Sequence, residues 1–150
     1  PYLIKDKKFG DLKVALAGPG SNIILALFFG LIARFIPLAT NLKQSLTVSY
    51  FSGDSNFILS NMSGNFLVVI FVMSIIFCFL NLLLAFFNLV PIPPLDGSKI
   101  LANFLPAKAK MKFFLFERYG MFILLFFLVL GLFELLFYPL IYSFSFIIGI

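Results

Sequence analysis

The residues best suited to chemistry lie in the segment 88–97, which reads N-L-V-P-I-P-P-L-D-G. The Asn88 amide at its start can donate two hydrogen bonds, and the Asp96 carboxylate near its end is an acceptor. The three prolines between them, which remove backbone donors and exclude an ordinary helix, are Pro91, Pro93 and Pro94. Because the segment follows a long apolar run, its broken backbone needs protein or a water-filled cavity around it. This segment is therefore the first candidate for a functional site.

The polar residues near this segment also have purely structural explanations. Asp is a favoured N-cap, so Asp96 could simply cap a short helix that begins at Gly97. Asn88 could end the preceding helix by satisfying its last carbonyls. Asn22 lies in an earlier apolar run beside small residues that let helices approach closely, so it could bond a neighbouring helix.

Composition predicts an integral membrane protein. The chain has 150 residues, of which 62% are hydrophobic and 11% charged, whereas a soluble domain is about half apolar. A net charge of +5 could indicate nucleic-acid binding, but the basic residues form two short clusters that flank apolar runs. That is the positive-inside pattern, so no nucleic-acid partner is expected. The single cysteine, Cys78, cannot form an internal disulfide or make a metal site alone.

The predicted fold class is all-α. We expect a polytopic membrane protein whose residues 1–150 form a single membrane domain, with a proline-rich break between the second and third of about three transmembrane helices. Each apolar run exceeds the roughly 20 residues that span a bilayer. The predicted spans are residues 14–36, 64–87 and 121–148.

The prolines and glycines within and between these spans predict local breaks. Gly18-Pro19-Gly20-Ser21-Asn22 is expected to interrupt the first span, and Pro139 to kink or divide the third. Residues 38–63 are expected to form a loop that is turn-rich at residues 49–56 and in which residues 47–51 could be a short strand or an interfacial piece. A short helix is expected at 97–105, followed by an amphipathic basic segment at 106–120.

Charged residues predict the topology. Four basic residues precede the first span, one separates the first two spans, five separate the last two, and none follows. This alternation predicts a cytoplasmic N-terminal side. The basic run from Lys108 to Lys112 could bind anionic headgroups, although fixing the topology explains it sufficiently. Glu134, within the third span, is either a functional carboxylate or a structural partner of Arg34.

Three segments together carry a resemblance to a known family. The segment 88–97 resembles the second active-site motif of the site-2 proteases, which are intramembrane zinc metalloproteases. Residues 15–22, A-L-A-G-P-G-S-N, resemble that family's A-G-P-x-x-N segment. Leu105-Pro106, followed by E-R-Y-G at residues 117–120, is similar to its usual downstream segment. The order and separation of the segments also fit the family.

The resemblance implies an enzyme and assigns roles to the candidate residues. The implied activity is that of a zinc-dependent metalloendopeptidase of the plasma or inner membrane, whose partners are the bilayer and the membrane proteins it cleaves. Asp96 is implied as the third protein ligand of Zn²⁺. Asn88 is implied as the catalytic residue that holds the substrate carbonyl or stabilises the oxyanion.

The resemblance also implies a substrate-binding surface. Asn22 is implied to lie beside the active site and to contact substrate. The prolines are expected to hold an extended, stiff segment that pairs with an unwound substrate by strand addition. These substrate-binding residues are Pro91, Pro93 and Pro94.

One departure from the family concerns the catalytic helix. The family's H-E-x-x-H motif is missing, because the chain contains no histidine. In the family that motif lies upstream of the A-G-P-x-x-N segment, so we expect a C-terminal fragment, beginning at Pro1, that alone neither cleaves peptides nor holds zinc tightly. The alternative is a non-catalytic membrane scaffold or pseudoprotease that binds membrane partners. A transporter half is less favoured, because no inverted repeat is visible.

Overall fold

The computed structural model describes residues 7–131 and 133–150, and these residues are arranged in helices joined by short turns. In chain order the helices are α1 (Lys7–Phe35), α2 (Thr40–Ser52), α3 (Ser55–Met62), α4 (Phe66–Leu89), α5 (Asp96–Phe104), α6 (Ala107–Glu117), α7 (Gly120–Val129) and α8 (Glu134–Ile148). The described residues contain no strand, which confirms the all-α prediction. Helices α1 and α4 are long and apolar enough to cross a membrane, and α7 with α8 could make a third span.

The described chain divides into two compact units. The first contains the described residues of Pro1–Ile23 and Leu83–Pro139, and the second contains those of Ile24–Leu82 and Leu140–Ile150. Helices α1 and α4 contribute to both units. The three segments that resemble the site-2 proteases all lie in the first unit.

Helix α1 passes through its proline without a break, so the predicted interruption at residues 18–22 is wrong. Pro19 is fully buried inside the helix. Proline removes one helical hydrogen bond, and apolar helices tolerate this loss where neighbouring groups pack around the ring. The helix ends at Phe35, two residues before Pro37, which cannot continue it.

The predicted loop at residues 38–63 is helical instead. The buried residues Lys43, Leu46 and Thr47 follow the i, i+3, i+4 spacing of one helix face, which excludes a strand at residues 47–51. The predicted turn is confined to the junction between α2 and α3. Gly53 ends α2 with a φ of 77°, and the Asp54 side chain caps α3 by accepting a hydrogen bond from the Phe57 N–H at 3.1 Å.

Two cations cap helix ends in the second unit. Lys43 Nζ donates to the Ala33 carbonyl at 3.1 Å and to the Arg34 carbonyl at 2.7 Å, in the last turn of α1. Burial lowers the pKa of Lys43, and these hydrogen bonds offset part of the cost of burying its charge. The Arg34 guanidinium donates to the Phe146 carbonyl of α8 at 2.9 Å. Backbone carbonyls near the end of α8 therefore accept hydrogen bonds from Arg34.

Helix α4 packs closely against α1 within the second unit. Cys78 is fully buried, and a Cβ added to Gly30 of α1 would lie 3.1 Å from its sulfur. The cysteine therefore fills a tight helix contact.

The break between α7 and α8 lies near Gly131, whose φ of 69° ends α7, and Pro139 lies inside α8. The predicted division at Pro139 is therefore wrong, because the left-handed glycine ends the helix earlier in the chain.

Candidate functional site

The proline segment, residues 90–95, forms consecutive tight turns between α4 and α5. The Val90 N–H donates to the Phe87 carbonyl at 3.1 Å, the Ile92 N–H to Val90 at 2.8 Å, and the Leu95 N–H to Ile92 at 3.0 Å. The Pro93–Pro94 peptide bond is cis. The predicted extended conformation is therefore wrong, because the backbone donors of residues 90–95 are already bonded within the segment or are absent from its prolines.

A short helix was predicted here, and α5 begins at Asp96. Asp96 does not cap this helix. The N-cap is Leu95, and no side-chain capping hydrogen bond is present. Asp96 is the acidic residue of the first turn, where its charge suits the helix dipole. The Ser98 hydroxyl donates to the Leu95 carbonyl at 2.6 Å. The Asp96 carboxylate is thus not required to hold the start of its own helix.

The Asp96 carboxylate joins two of the motif segments. Its Oδ1 accepts from Lys99 Nζ at 3.0 Å, and the two side chains are 29% and 52% exposed, respectively. Its Oδ2 lies against the backbone of α1, since a Cβ added to Gly18 would be 2.9 Å from this oxygen. A glycine at position 18 is what allows the carboxylate to approach α1 so closely.

Asn22 and Asn88 are the two predicted site amides of this unit, and both are half-buried. Asn22 lies one helical turn after Gly18 and so shares its face of α1. Asn88 lies in the last turn of α4. Neither side chain hydrogen-bonds to a described residue, whereas the Asn81 amide of α4 donates to the Phe77 carbonyl at 2.8 Å. The helix-ending role considered for Asn88 is therefore not observed, and its donors are available.

Two motif glycines, Gly97 and Gly120, lie in close contact with the backbone of residues 89–93. A Cβ on Gly97 would collide with the Leu89 and Val90 carbonyls, and a Cβ on Gly120 would collide with the Pro93 backbone. Both glycines are buried. The motifs alone do not show why glycine is required at these two positions. The close backbone approaches supply the physical reason for glycine.

Lys99 is a site residue that sequence reasoning treated only as a topological charge. Its position three residues after Asp96 on α5 is the spacing at which opposite charges meet on a helix. That spacing was the available signal. The role of Gly18 had a weaker signal, because a cluster of small residues indicates a close approach without naming the partner.

The residues that the structure describes do not make a zinc site by themselves. Among the described residues there is no group of three His, Cys, Asp or Glu side chains placed to hold a metal ion. The whole sequence contains no histidine. A catalytic zinc takes about three protein ligands and leaves a further position open. Among the described residues of the motif segments, the carboxylate offered at this site is that of Asp96.

Comparisons with known proteins agree on one family. The model of peptidase family M50 matches residues 3–131, a range that contains all three motif segments. A protein of Bacillus subtilis (strain 168), named "Putative zinc metalloprotease YwhC", is 31% identical over 129 residues. This match covers 85% of the present chain and 50% of the relative, so the chain spans half the relative's length. No solved structure matches the chain.

Proposed function

Since the chain belongs to peptidase family M50, we propose that it is part of an intramembrane zinc metalloendopeptidase of the site-2 type that cleaves membrane-embedded proteins. The observation that carries the proposal is the position of the Asp96 carboxylate. It lies against Gly18 of a second motif segment and does not cap its own helix. A carboxylate that does not cap its own helix and lies against a second motif segment suits a ligand.

Asp96 would contribute one protein ligand to the zinc. Lys99 holds Oδ1, and Oδ2 makes no hydrogen bond to a described residue. Since the chain has no histidine, the two histidine ligands of the H-E-x-x-H helix that the resemblance implies would come from outside these 150 residues. When bound, zinc would supply a Lewis acid that polarises the scissile carbonyl and activates water at neutral pH.

The two half-buried amides of this unit, Asn88 and Asn22, would bind the substrate backbone. The Asn88 amide has donors that are unused within the described residues and is suited to hold a substrate carbonyl as negative charge develops on it. Asn22, on the Gly18 face of α1, would bind substrate beside it. In the proline segment, Pro91 and Pro94 are exposed. We therefore expect this segment to offer only carbonyl acceptors to an unwound substrate, because its N–H groups are bonded internally or absent.

The surroundings of the enzyme follow from the same proposal. The bilayer and membrane-protein substrates are its partners, and the cytoplasmic or inner membrane is its location, with the N-terminal side of this chain facing the cytoplasm. The competing proposal is a non-catalytic scaffold that binds membrane proteins. The missing ligands of this chain favour that alternative.

Zinc analysis of the full-length protein that contains this chain separates the two proposals. We expect stoichiometric zinc in protein purified in detergent, and loss of peptide cleavage after chelation that is restored by adding zinc. Protein that is folded but free of zinc, and inactive before and after zinc is added, would support the scaffold and overturn the protease proposal.

Replacing Gly18 with alanine tests the contact between α1 and Asp96. The added methyl would force the carboxylate to move, while the flexible side chain lets the fold adapt. We expect zinc affinity of the full-length protein, measured by chelator competition, to fall about 10- to 100-fold. Gly20→Ala is the matched control on the same helix, because nothing lies within 4 Å of a Cβ there. Equal zinc affinity in the two variants would contradict the predicted role of Gly18.

A further inference from the structure

Helix α6 presents one face on which lysines and large apolar residues alternate. Lys108, Met111, Lys112 and Leu115 follow the i, i+3, i+4, i+7 spacing and so share one side of the helix. All four are exposed, and Met111 and Leu115 are 73% and 74% exposed. We call these four residues the lysine face of α6.

Three other described residues of α6 are turned towards the protein. Ala109, Lys110 and Phe113 lie off the lysine face and are half-buried. Helix α6 contacts α5 and α7. The lysine face is thus directed away from these contacts, and its apolar side chains have no described cover. A bilayer interface accommodates such a mixture, because the apolar groups reach the acyl boundary while lysines extend to the headgroups.

The connection to α7 keeps α6 at the membrane surface. Only Arg118 and Tyr119 separate α6 from α7, an uncharged helix of apolar residues. Two residues reach at most about 7 Å, which is about the thickness of one headgroup layer. If α7 enters the hydrocarbon, the last turn of α6 cannot leave the interface. Arg118 and Tyr119 are both exposed and are residue types that anchor helices there.

Charge selects the kind of lipid. Between Asp96 and Tyr119 the chain carries five basic residues and two acidic ones. Phosphate groups of anionic lipids complement this excess, whereas a neutral bilayer offers no net attraction. We propose that the lysine face of α6 lies on the bilayer and binds the headgroups of anionic phospholipids. This surface goes beyond the proteolytic function and does not depend on zinc or on catalysis.

A tryptophan placed on the lysine face reports what covers it. The chain contains no tryptophan, and Met111 is exposed, so Met111→Trp adds one selective fluorophore without disturbing the core. The full chain carrying this change is reconstituted into nanodiscs of phosphatidylcholine with increasing phosphatidylglycerol. We expect a blue shift and quenching by brominated acyl chains that both grow with the phosphatidylglycerol fraction. Inorganic phosphate added to phosphatidylcholine discs should produce neither change, which distinguishes lipid headgroups from free phosphate.

Lysine variants made in the Met111→Trp background test the charge. Lys108→Gln and Lys112→Gln should each raise the phosphatidylglycerol fraction needed for half-maximal quenching about fivefold. Lys110→Gln is the matched control, since it removes the same charge from the half-buried side, and it should change this fraction much less. The proposal is overturned if the tryptophan stays water-exposed in both lipids, or if all three variants behave alike. It is also overturned if the tryptophan is shielded without lipid quenching, because another protein surface then covers the face.

Discussion

Replacing Asp96 with alanine in the full-length protein is expected to remove the bound zinc and to lower peptide cleavage on the order of a thousandfold. A bound metal stabilises the transition state by several kcal/mol, and about 1.4 kcal/mol corresponds to a tenfold change in rate. The fold should tolerate the change. Asp96 does not cap α5, and its described ion pair is with the half-exposed Lys99. Surface pairs of this kind contribute about 0–1 kcal/mol to the free energy of unfolding.

The control for this variant is Lys99→Gln, which removes the ion pair and leaves the carboxylate in place. It should keep stoichiometric zinc, so the comparison separates the ligand from its neighbour. Zinc content and the thermal unfolding midpoint are measured on the same preparations. An Asp96→Ala protein that is folded and still carries stoichiometric zinc would show that Asp96 is not a ligand.

The apolar helices and the location of the site follow from local sequence patterns. Hydropathy alone indicates the helices that became α1 and α4. The prolines predict a break in the helical backbone, and the motif that contains them indicates Asp96 as a site residue. These signals lie within a few residues of the structure they predict. For that reason they can be read from a single sequence.

The sequence-based predictions were wrong or incomplete where two local sequence patterns competed, or where a contact joins residues that are distant in the chain. Turn-forming residues near Gly53 concealed the helical spacing of Lys43, Leu46 and Thr47, which packing in the second unit enforces. Prolines suggested an extended segment, but internal hydrogen bonds fold it into turns. The approach of Asp96 to Gly18 brings together residues of α5 and α1 that lie far apart in the sequence. No local pattern specifies such a contact.

The motif glycines show how the fold constrains the site. Gly97 lets the start of α5 approach the end of α4, and Gly120 lets the start of α7 approach Pro93. Both contacts are with backbone atoms, which cannot rotate away as a side chain can. The position of Asp96, one residue before Gly97, is therefore fixed by the backbone. A site that must hold a ligand within a fraction of an ångström benefits from this rigidity.

Replacing Gly97 with alanine is accordingly expected to destabilise the protein by at least about 3 kcal/mol, at the upper end of overpacking effects. The methyl would meet the Leu89 and Val90 carbonyls, so α5 must separate from α4 or the turn between them must open. The free energy of unfolding, measured by denaturant titration in detergent, checks this result. In the control Gly20→Ala, the methyl enters open space within α1, and stability should rise by about 0.5–1 kcal/mol. If the two variants had equal free energies of unfolding, the backbone around Gly97 would be easily displaced. The inference that this backbone fixes the position of Asp96 would then be wrong.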